Sequence, residues 1–321
     1  MTAVGITASM RAEPLVSVGV PVFNGERYLR EAIRSILDQT YRNLELIISD
    51  NASTDGTRSI CEEEAANDSR VRYCRSDTNR GLAWNFNNLV DLARGPYFKW
   101  MSCDDTMEET FIRCAVDALE SHPDAVLSHS DTRVIGTDGE FLRDDWTKIT
   151  VADDDPVRRF RELMIEPHTC MWQFGLIRLD ALRGLPWRPM GGYSHADGIL
   201  LARLALIGWF HRTPEPLFSY RRHPEQSMAV YAAAAGRLDR HALAAFVNPA
   251  MEGRLVFPNW RLLRENAATA ASGLVPLRRR PLALLWVVRW ALRKRALLLS
   301  ELAVGVRTCV DCARGRLPSR R

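Results

Sequence analysis

Over residues 15–128 the chain repeats one pattern: a short apolar, β-rich run followed by a longer segment with helical spacing of its apolar residues. The short runs occupy residues 15–23, 44–49, 71–74, 97–101 and 125–128. The longer segments occupy 26–39, 57–66, 82–93 and 107–121. In the first of these, Tyr28, Leu29, Ala32, Ile33, Ile36 and Leu37 recur on one helical face. Strands separated by helices predict an α/β domain with a mostly parallel sheet and right-handed crossovers, because parallel neighbours need a long connection. Such sheets take their ligands in the crevice at the carboxyl ends of the strands.

The fourth strand run ends in Ser102-Cys103-Asp104-Asp105. Two adjacent carboxylates at a strand end repel one another unless a cation or a buried donor joins them. A divalent metal carrying a phosphorylated substrate resolves that repulsion, since hard cations prefer oxygen ligands together with substrate phosphates. The competing reading makes Asp104 the cap of a helix starting near Met107, with Asp105 in water. The other loops narrow the chemistry. A dinucleotide fold requires G-x-G-x-x-G after the first strand, and a P-loop requires G-x-x-x-x-G-K-[ST]. The first turn reads Val20-Pro21-Val22-Phe23-Asn24-Gly25-Glu26, which is neither, nor is it the glycine-rich basic loop of a sugar nucleotidyltransferase.

The net charge of +4 conceals an asymmetry. Residues 275–321 carry eleven arginines and Lys294 against Glu301 and Asp311, a net of +10, so the remainder carries −6. The seven cysteines are scattered and odd in number, which fits a reducing cytoplasm better than a disulfide framework. Cys309 and Cys312 form one CxxC without the second ligand pair a structural zinc needs. Residues 1–13 lack the basic start and apolar core of a signal peptide. No apolar run approaches the roughly 20 residues that span a bilayer. A cytoplasmic protein is expected, either free or peripheral on the cytoplasmic face of the membrane.

Four motifs in one order resemble the family 2 glycosyltransferases, which have the GT-A fold. Val16-Ser17-Val18-Gly19-Val20-Pro21-Val22-Phe23-Asn24-Gly25 resembles their first strand and nucleotide loop, and residues 26–40 their first helix. Asp50-Asn51-Ala52-Ser53-Thr54-Asp55-Gly56-Thr57 is similar to their D-x-S-x-D-G-T signature, and Ser102-Cys103-Asp104-Asp105 to their DxD segment. Further on, Gly191-Gly192-Tyr193-Ser194-His195-Ala196-Asp197-Gly198 resembles the loop that carries the catalytic base. Phe218-Ser219-Tyr220-Arg221-Arg222-His223-Pro224 resembles the last strand and its histidine. Two positions depart from the pattern: many members have a further acid where Ser102 stands, and often another at Ala196.

The resemblance implies a catalytic domain at 14–227 and a helical, basic extension at 228–321. It implies inverting, metal-dependent transfer from a nucleotide-diphospho-sugar, with UDP as the expected nucleotide, to a hydroxyl on a glycan or lipid-linked acceptor. The setting would be cell envelope polysaccharide or glycolipid synthesis. Asp197 is the expected general base, with His195 its rival. Asp105 and His223 are the expected ligands of manganese or magnesium, which would stabilise the departing diphosphate. Pro21, Phe23, Asn24, Asp50, Asn51, Arg80, Asp104 and Arg221 are expected around the donor. Asp50 would accept from the imide of a uracil-like base, Asp104 would face the ribose or the metal's outer shell, and Arg221 the diphosphate. A non-catalytic sugar-nucleotide or glycan-binding module on the same fold stays open, supported by the acids missing at Ser102 and Ala196.

Trp172 and Trp187, in the variable middle, could stack on a sugar or sit in the core. In the extension, helices are expected at 237–246 and 260–271. Arginines at 278–280 and 289 flank Leu284, Leu285, Trp286 and Trp290, a composition that suits either an interfacial helix on anionic lipid or a basic helix packed on the body. Nucleic acid is not an expected partner, because no recognised module accompanies the charge.

Overall fold

The computed structural model describes residues 13–145, 149–226 and 239–314. The N-terminal twelve residues, the expected domain boundary at 227/228, the start of the helix expected at 237 and the side chain of Cys312 lie outside them.

The first half alternates as expected. β1 (Val16–Val22) leads to α1 (Leu29–Leu37), β2 (Leu44–Asp50) to α2 (Thr57–Asn67), and β3 (Val71–Arg75) to α3 (Leu82–Leu92) before β4 (Tyr97–Trp100). These four strands lie parallel in the order β3-β2-β1-β4. β2 and β4 are buried at every position and β1 at all but one, which explains their near-continuous apolar runs: helices cover both faces. β3 is the edge strand, and past Val71 it is only partly covered.

Beyond Trp100 the sheet becomes mixed. Where a helix from Met107 was expected, a two-residue strand, β5 (Thr106–Met107), comes first and α4 (Phe111–Ser121) starts later. The long β6 (Ala125–Ile135) does not lie beside β4, because β8 (Leu176–Arg178) enters between them, antiparallel to both. β7 (Phe141–Asp145) pairs with the far end of β6. β9 (Trp209–Arg221) runs parallel to β6 along its length and then antiparallel to β5. The antiparallel β5–β9 pair returns the chain to the Asp104-Asp105 segment, which is why β5 forms where periodicity alone suggests helix.

α5 (Pro156–Ile165), α6 (Leu179–Arg183) and α7 (Ala196–Ile207) complete the body. α7 is buried along nearly its whole length. The extension comprises α8 (Arg240–Val247), α9 (Pro258–Ala271), α10 (Arg280–Arg293) and α11 (Arg295–Ala313). It packs on the body. Buried Arg203 of α7 meets Glu265 of α9 at 2.8 Å, and Arg161 of α5 lies over the Trp286 ring of α10. Ala283, Val287 and Trp290 form the buried face of α10.

Candidate active site

The strand order β2-β1-β4 places three carboxyl-end loops side by side, and side chains lace the first two together. The Asn24 amide oxygen accepts from the Thr54 backbone N–H (2.8 Å), while the Asn24 N–H donates to Ser53 Oγ (2.9 Å). The Gly25 N–H donates to Thr57 Oγ1, and the Gly56 N–H to the Glu26 carboxylate. Asn51 extends the lattice to the next turn: its Oδ1 accepts from the Arg80 N–H and its Nδ2 donates to Asn79 Oδ1. Gly81 follows with φ +86°, a left-handed conformation that glycine adopts freely. Four described non-glycine residues have left-handed backbones, and Asn24, Ala52 and His195 are three of them. Asn24 and Ala52 stand in the two interlaced loops and His195 in the loop before α7, and costly conformations of this kind persist only where surrounding structure enforces them.

Asp50 is fully buried beneath the second loop. Its Oδ1 accepts from the Ser53 N–H (2.8 Å), and its Oδ2 from Tyr73 Oη (2.7 Å) and Arg75 Nη1 (2.5 Å). Burial alone would raise its pKa, but the Ser53, Tyr73 and Arg75 hydrogen bonds overcome that and hold the carboxyl below its usual range. Tyr73 and Arg75 are site residues that the sequence reading missed. Their i, i+2 spacing on β3 was legible in the sequence, while the pairing that sets Arg75 in register with Asp50 comes from the fold.

The two adjacent acids differ sharply. Asp104 accepts from Ser102 Oγ, and its Oδ2 lies 3.0 Å from His223 Nε2. Burial opposes its ionisation, yet His223 and Ser102 hold its carboxyl below the ordinary range. Asp105 is 1% exposed. Its Oδ1 accepts from the Arg221 backbone N–H (2.8 Å), and its Oδ2 has no hydrogen-bond partner among the described residues. Burial and then the neighbouring Asp104 push Asp105 well above the usual range. Beneath it, Lys99 is fully buried between the Phe111 and Phe218 rings and donates to the Phe174 carbonyl. Desolvation lowers the Lys99 ammonium to about 7. The acid facing His223 is therefore Asp104, whereas Asp105, expected as the metal ligand, is turned inward to the β9 backbone.

Arg221 also departs from expectation. It is 1% exposed; Nε donates to the Asp104 carbonyl (2.9 Å), Nη1 to the Gly136 and Thr137 carbonyls, and Nη2 pairs with Glu31 at 2.7 Å. The guanidinium lies over the Tyr28 ring, as does that of Arg27, and the His223 ring is 4.8 Å from the Tyr28 ring. These acceptors hold the Asp104-Asp105 segment against β9 through Nε and Nη1, while the buried Nη2, close to Glu31, makes no hydrogen bond among the described residues. Pro21 is half-buried at the end of β1, Phe23 is exposed on the first loop, and exposed Arg80 lies over the Trp84 ring.

Asp197 stands in the first turn of α7, whose N-cap is the left-handed His195. Its Oδ1 accepts from the Gly198 N–H (2.8 Å). Burial and then the Asp197 carboxylate beside it push the Cys170 thiol upward, a contact no sequence spacing suggested. His195 itself is exposed. Trp172 is core: buried, with the His129 and His168 rings stacked on it.

No group of three or more His, Cys, Asp or Glu side chains poised for a metal occurs among the described residues. The Asp104–His223 pair nevertheless suits a hard or borderline cation whose remaining ligands come from substrate oxygens. It supplies one carboxylate oxygen and one imidazole nitrogen at mutual contact, and the buried His223 Nδ1 has no hydrogen-bond partner among the described residues.

A family model described as Glycosyl transferase family 2 matches residues 17–185. Chondroitin synthase of Escherichia coli is 32% identical over 136 residues, 42% of this chain and 20% of that protein. Glycosyltransferase GlyG of Streptococcus pneumoniae serotype 4 is 32% identical over 127 residues, 40% of this chain and 42% of that protein. The chain thus spans less than half the length of these two relatives. An uncharacterized glycosyltransferase of Haemophilus influenzae is 29% identical over 227 residues, 68% of each protein. Among solved structures, S. aureus TarS 1–349 in complex with UDP-GlcNAc superposes with a TM-score of 0.54 at 16% identity, covering 89% of this chain and 90% of that one. Mannosyltransferase PcManGT from Pyrobaculum calidifontis, in complex with GDP-Man and Mn2+, gives 0.52 at 18% identity, covering 93% and 81%. Such identities bear on the fold alone, which is GT-A. With a family match across more than half of its 321 residues, the chain belongs to glycosyl transferase family 2.

Proposed function

We propose that this glycosyltransferase moves a sugar from a nucleotide-diphospho-sugar, UDP-linked, to an acceptor hydroxyl with inversion and with help from a divalent cation. The observation that carries the reading is the Asp104–His223 pair at 3.0 Å, set beside two interlaced loops at the carboxyl ends of β1 and β2. Asp104 and His223 would hold manganese or magnesium, so the metal role expected of Asp105 passes to its neighbour, while Asp105 and Arg221 position the segment. When bound, the cation supplies Lewis-acid stabilisation of the leaving diphosphate. The TarS complex with UDP-GlcNAc and the PcManGT complex with GDP-Man and Mn2+ support a donor of this class and a metal requirement.

The first two loops would form the nucleotide end. Phe23 offers an exposed apolar face, and Asn24 and Asn51 hold the loops in place. Both oxygens of Asp50 already accept from protein donors, but a carboxylate has about four lone-pair sites, so one more bond to a base imide is within its capacity. Asp197 would take the proton of the acceptor hydroxyl as that oxygen bonds to the anomeric carbon. The bond to the diphosphate oxygen breaks on the opposite face, giving inversion in a single displacement. A screen of nucleotide-sugars for released nucleoside diphosphate, with and without added manganese or magnesium, tests the reading. Absence of metal-stimulated release from any donor would overturn it.

No helix among the described residues is long and apolar enough to cross a membrane. The extension nonetheless presents an apolar stripe outward. Leu299, Leu302, Val306 and Val310 share one exposed face of α11, and Leu284, Leu285, Val288 and Leu292 are exposed on α10. The accompanying charge is strongly basic, including Arg289, Arg293, Lys294, Arg295 and Arg307. Apolar side chains framed by cations fit the surface of an anionic bilayer, which would bring a lipid-linked acceptor to the enzyme.

A further inference from the structure

A cavity of ≈ 590 Å³ opens between the start of α3, the loop preceding α7 and helix α9. The extension builds one wall of it. Gly81, beside the Asn51 lattice, packs against the Val247 carbonyl, and Gly192, five residues before Asp197, against Asn248. The cavity thus lies between the loop assigned to the donor and the loop leading to the proposed base, where an acceptor would enter.

Its chemistry is specific. Five arginines line it, Arg80, Arg188, Arg203, Arg261 and Arg264, against one acid, Glu265. That carboxylate is shared three ways: Arg203 reaches Oε2 at 2.8 Å, while Arg261 and Arg264 reach Oε1 at 2.8 and 3.3 Å. Asp91 neutralises Arg188 from outside the lining. No carboxylate pairs with Arg80 among the described residues, and the Arg264 side chain is 67% exposed. Flat aromatic surfaces alternate with the charges: Trp84 beneath Arg80, Trp187 against Arg203, and Tyr193 against Arg261. The buried Tyr193 hydroxyl has no hydrogen-bond partner among the described residues. Guanidinium forks match oxyanions in a bidentate manner, and the rings beneath Arg80, Arg203 and Arg261 hold those guanidinium groups in fixed orientation.

We infer that this cavity binds an anionic saccharide acceptor, one whose sugar bears a carboxylate or phosphate group, with Arg261, Arg264 and Arg80, the last moved here from its expected donor role, as the oxyanion donors. The inference rests on the glycosyltransferase reading above, and it names the acceptor class for that site. Calorimetric titration of the full chain with glucuronic acid, glucose 6-phosphate and glucose tests it, with UDP plus manganese titrated separately. Both anionic sugars bind and glucose binds at least about tenfold more weakly, since a hydrogen bond to a charged group is worth about 1.5–3 kcal/mol. Arg264→Gln, a change at a largely exposed side chain, reduces the anionic affinities about tenfold and leaves that of glucose unaltered. Arg80→Gln does the same should Arg264 prove redundant. A preference for the uronate or for the phosphosugar identifies the source of the oxyanion. Equal binding of glucose, no binding of either anion at tens of millimolar (roughly, the weak end of such affinities), or indifference to both substitutions overturns the inference. Anion binding without UDP binding would instead overturn the donor reading and leave the cavity an oxyanion site.

Discussion

Asp104 and Asp105 are chemically identical neighbours held in opposite protonation tendencies, and the difference lies in what each faces. Asp104 meets an imidazole and a hydroxyl, whereas the buried Asp105 makes one backbone hydrogen bond and lies beside Asp104, with Lys99 and Arg221 nearby. Asp104→Ala is therefore expected to abolish the manganese-dependent part of UDP binding, read by calorimetry, together with the stability that the His223 and Ser102 hydrogen bonds supply. Asp105→Ala is expected to strand the buried Arg221 N–H, a loss of about 1–3 kcal/mol in denaturant unfolding, and to retain metal-dependent binding in the folded fraction. Loss of metal dependence in Asp105→Ala alone would return the ligand role to that residue. Asp197→Asn should keep UDP affinity and lose about 10²- to 10⁴-fold in turnover, the usual worth of a general base; near-normal turnover would move the base to His195 or elsewhere. Acid sensitivity follows from the depressed groups. Asp50 and Asp104 have folded-state values below the unfolded value of about 3.9, so the stability they contribute is complete above that pH and declines as pH falls through their folded values. Arg75→Gln removes one source of the depression at Asp50, and its stability deficit should be larger at pH 6 than at pH 3.

At the scale of elements, the extension behaves as part of the body because of one buried cluster. Arg203, 2% exposed on α7, relies on Glu265 of α9 and on Thr269 Oγ1. Breaking a buried pair from one side typically costs about 3–5 kcal/mol, because the remaining charge is left without compensation. Glu265→Ala should accordingly lower the thermal midpoint markedly, and Arg203→Met combined with Glu265→Leu should recover much of the loss. Indifference to Glu265→Ala would show that α9 is not anchored there. The β5–β9 pair has a comparable role in the sheet. Two residues of strand fix where Asp104 and His223 meet, although so short a run has no signature in the sequence.

For the molecule as a whole, α10 and α11 have two faces with different partners. Ala283, Val287 and Trp290 are turned inward, and α10 packs against α5, so ending the chain before Val275 should uncover apolar surface and give a protein that aggregates on expression. A soluble, monodisperse truncation would show the extension to be a separate appendage. The outward stripe predicts that the full chain sediments with phosphatidylserine vesicles and is released by high salt, because exposed charges are screened over about 8–10 Å near physiological ionic strength. Equal recovery with neutral vesicles would remove the preference for anionic lipid, and no recovery with either would remove the bilayer as a partner.

Periodicity and loop chemistry by themselves determined the alternating half of the fold. Buried parallel strands must be apolar throughout, helices that cover them must be apolar on one face, and the loops between β1 and β4 carry the polar residues that a nucleotide site needs. The sequence likewise located Asp50, the Asp104-Asp105 segment, Asp197 and His223 as candidates. Only the tertiary structure decided which acid faces His223, that the Arg221 guanidinium is buried with its Nε and Nη1 on backbone carbonyls, that Tyr73 and Arg75 grip Asp50, and that arginines from α9 and the α3 turn share a cavity. Those outcomes depend on contacts between residues distant in the chain, His223 and Asp104 being 119 positions apart. Local periodicity carries no record of such contacts: they arise when β8 enters between β4 and β6 and β9 folds back along the sheet to the carboxylates.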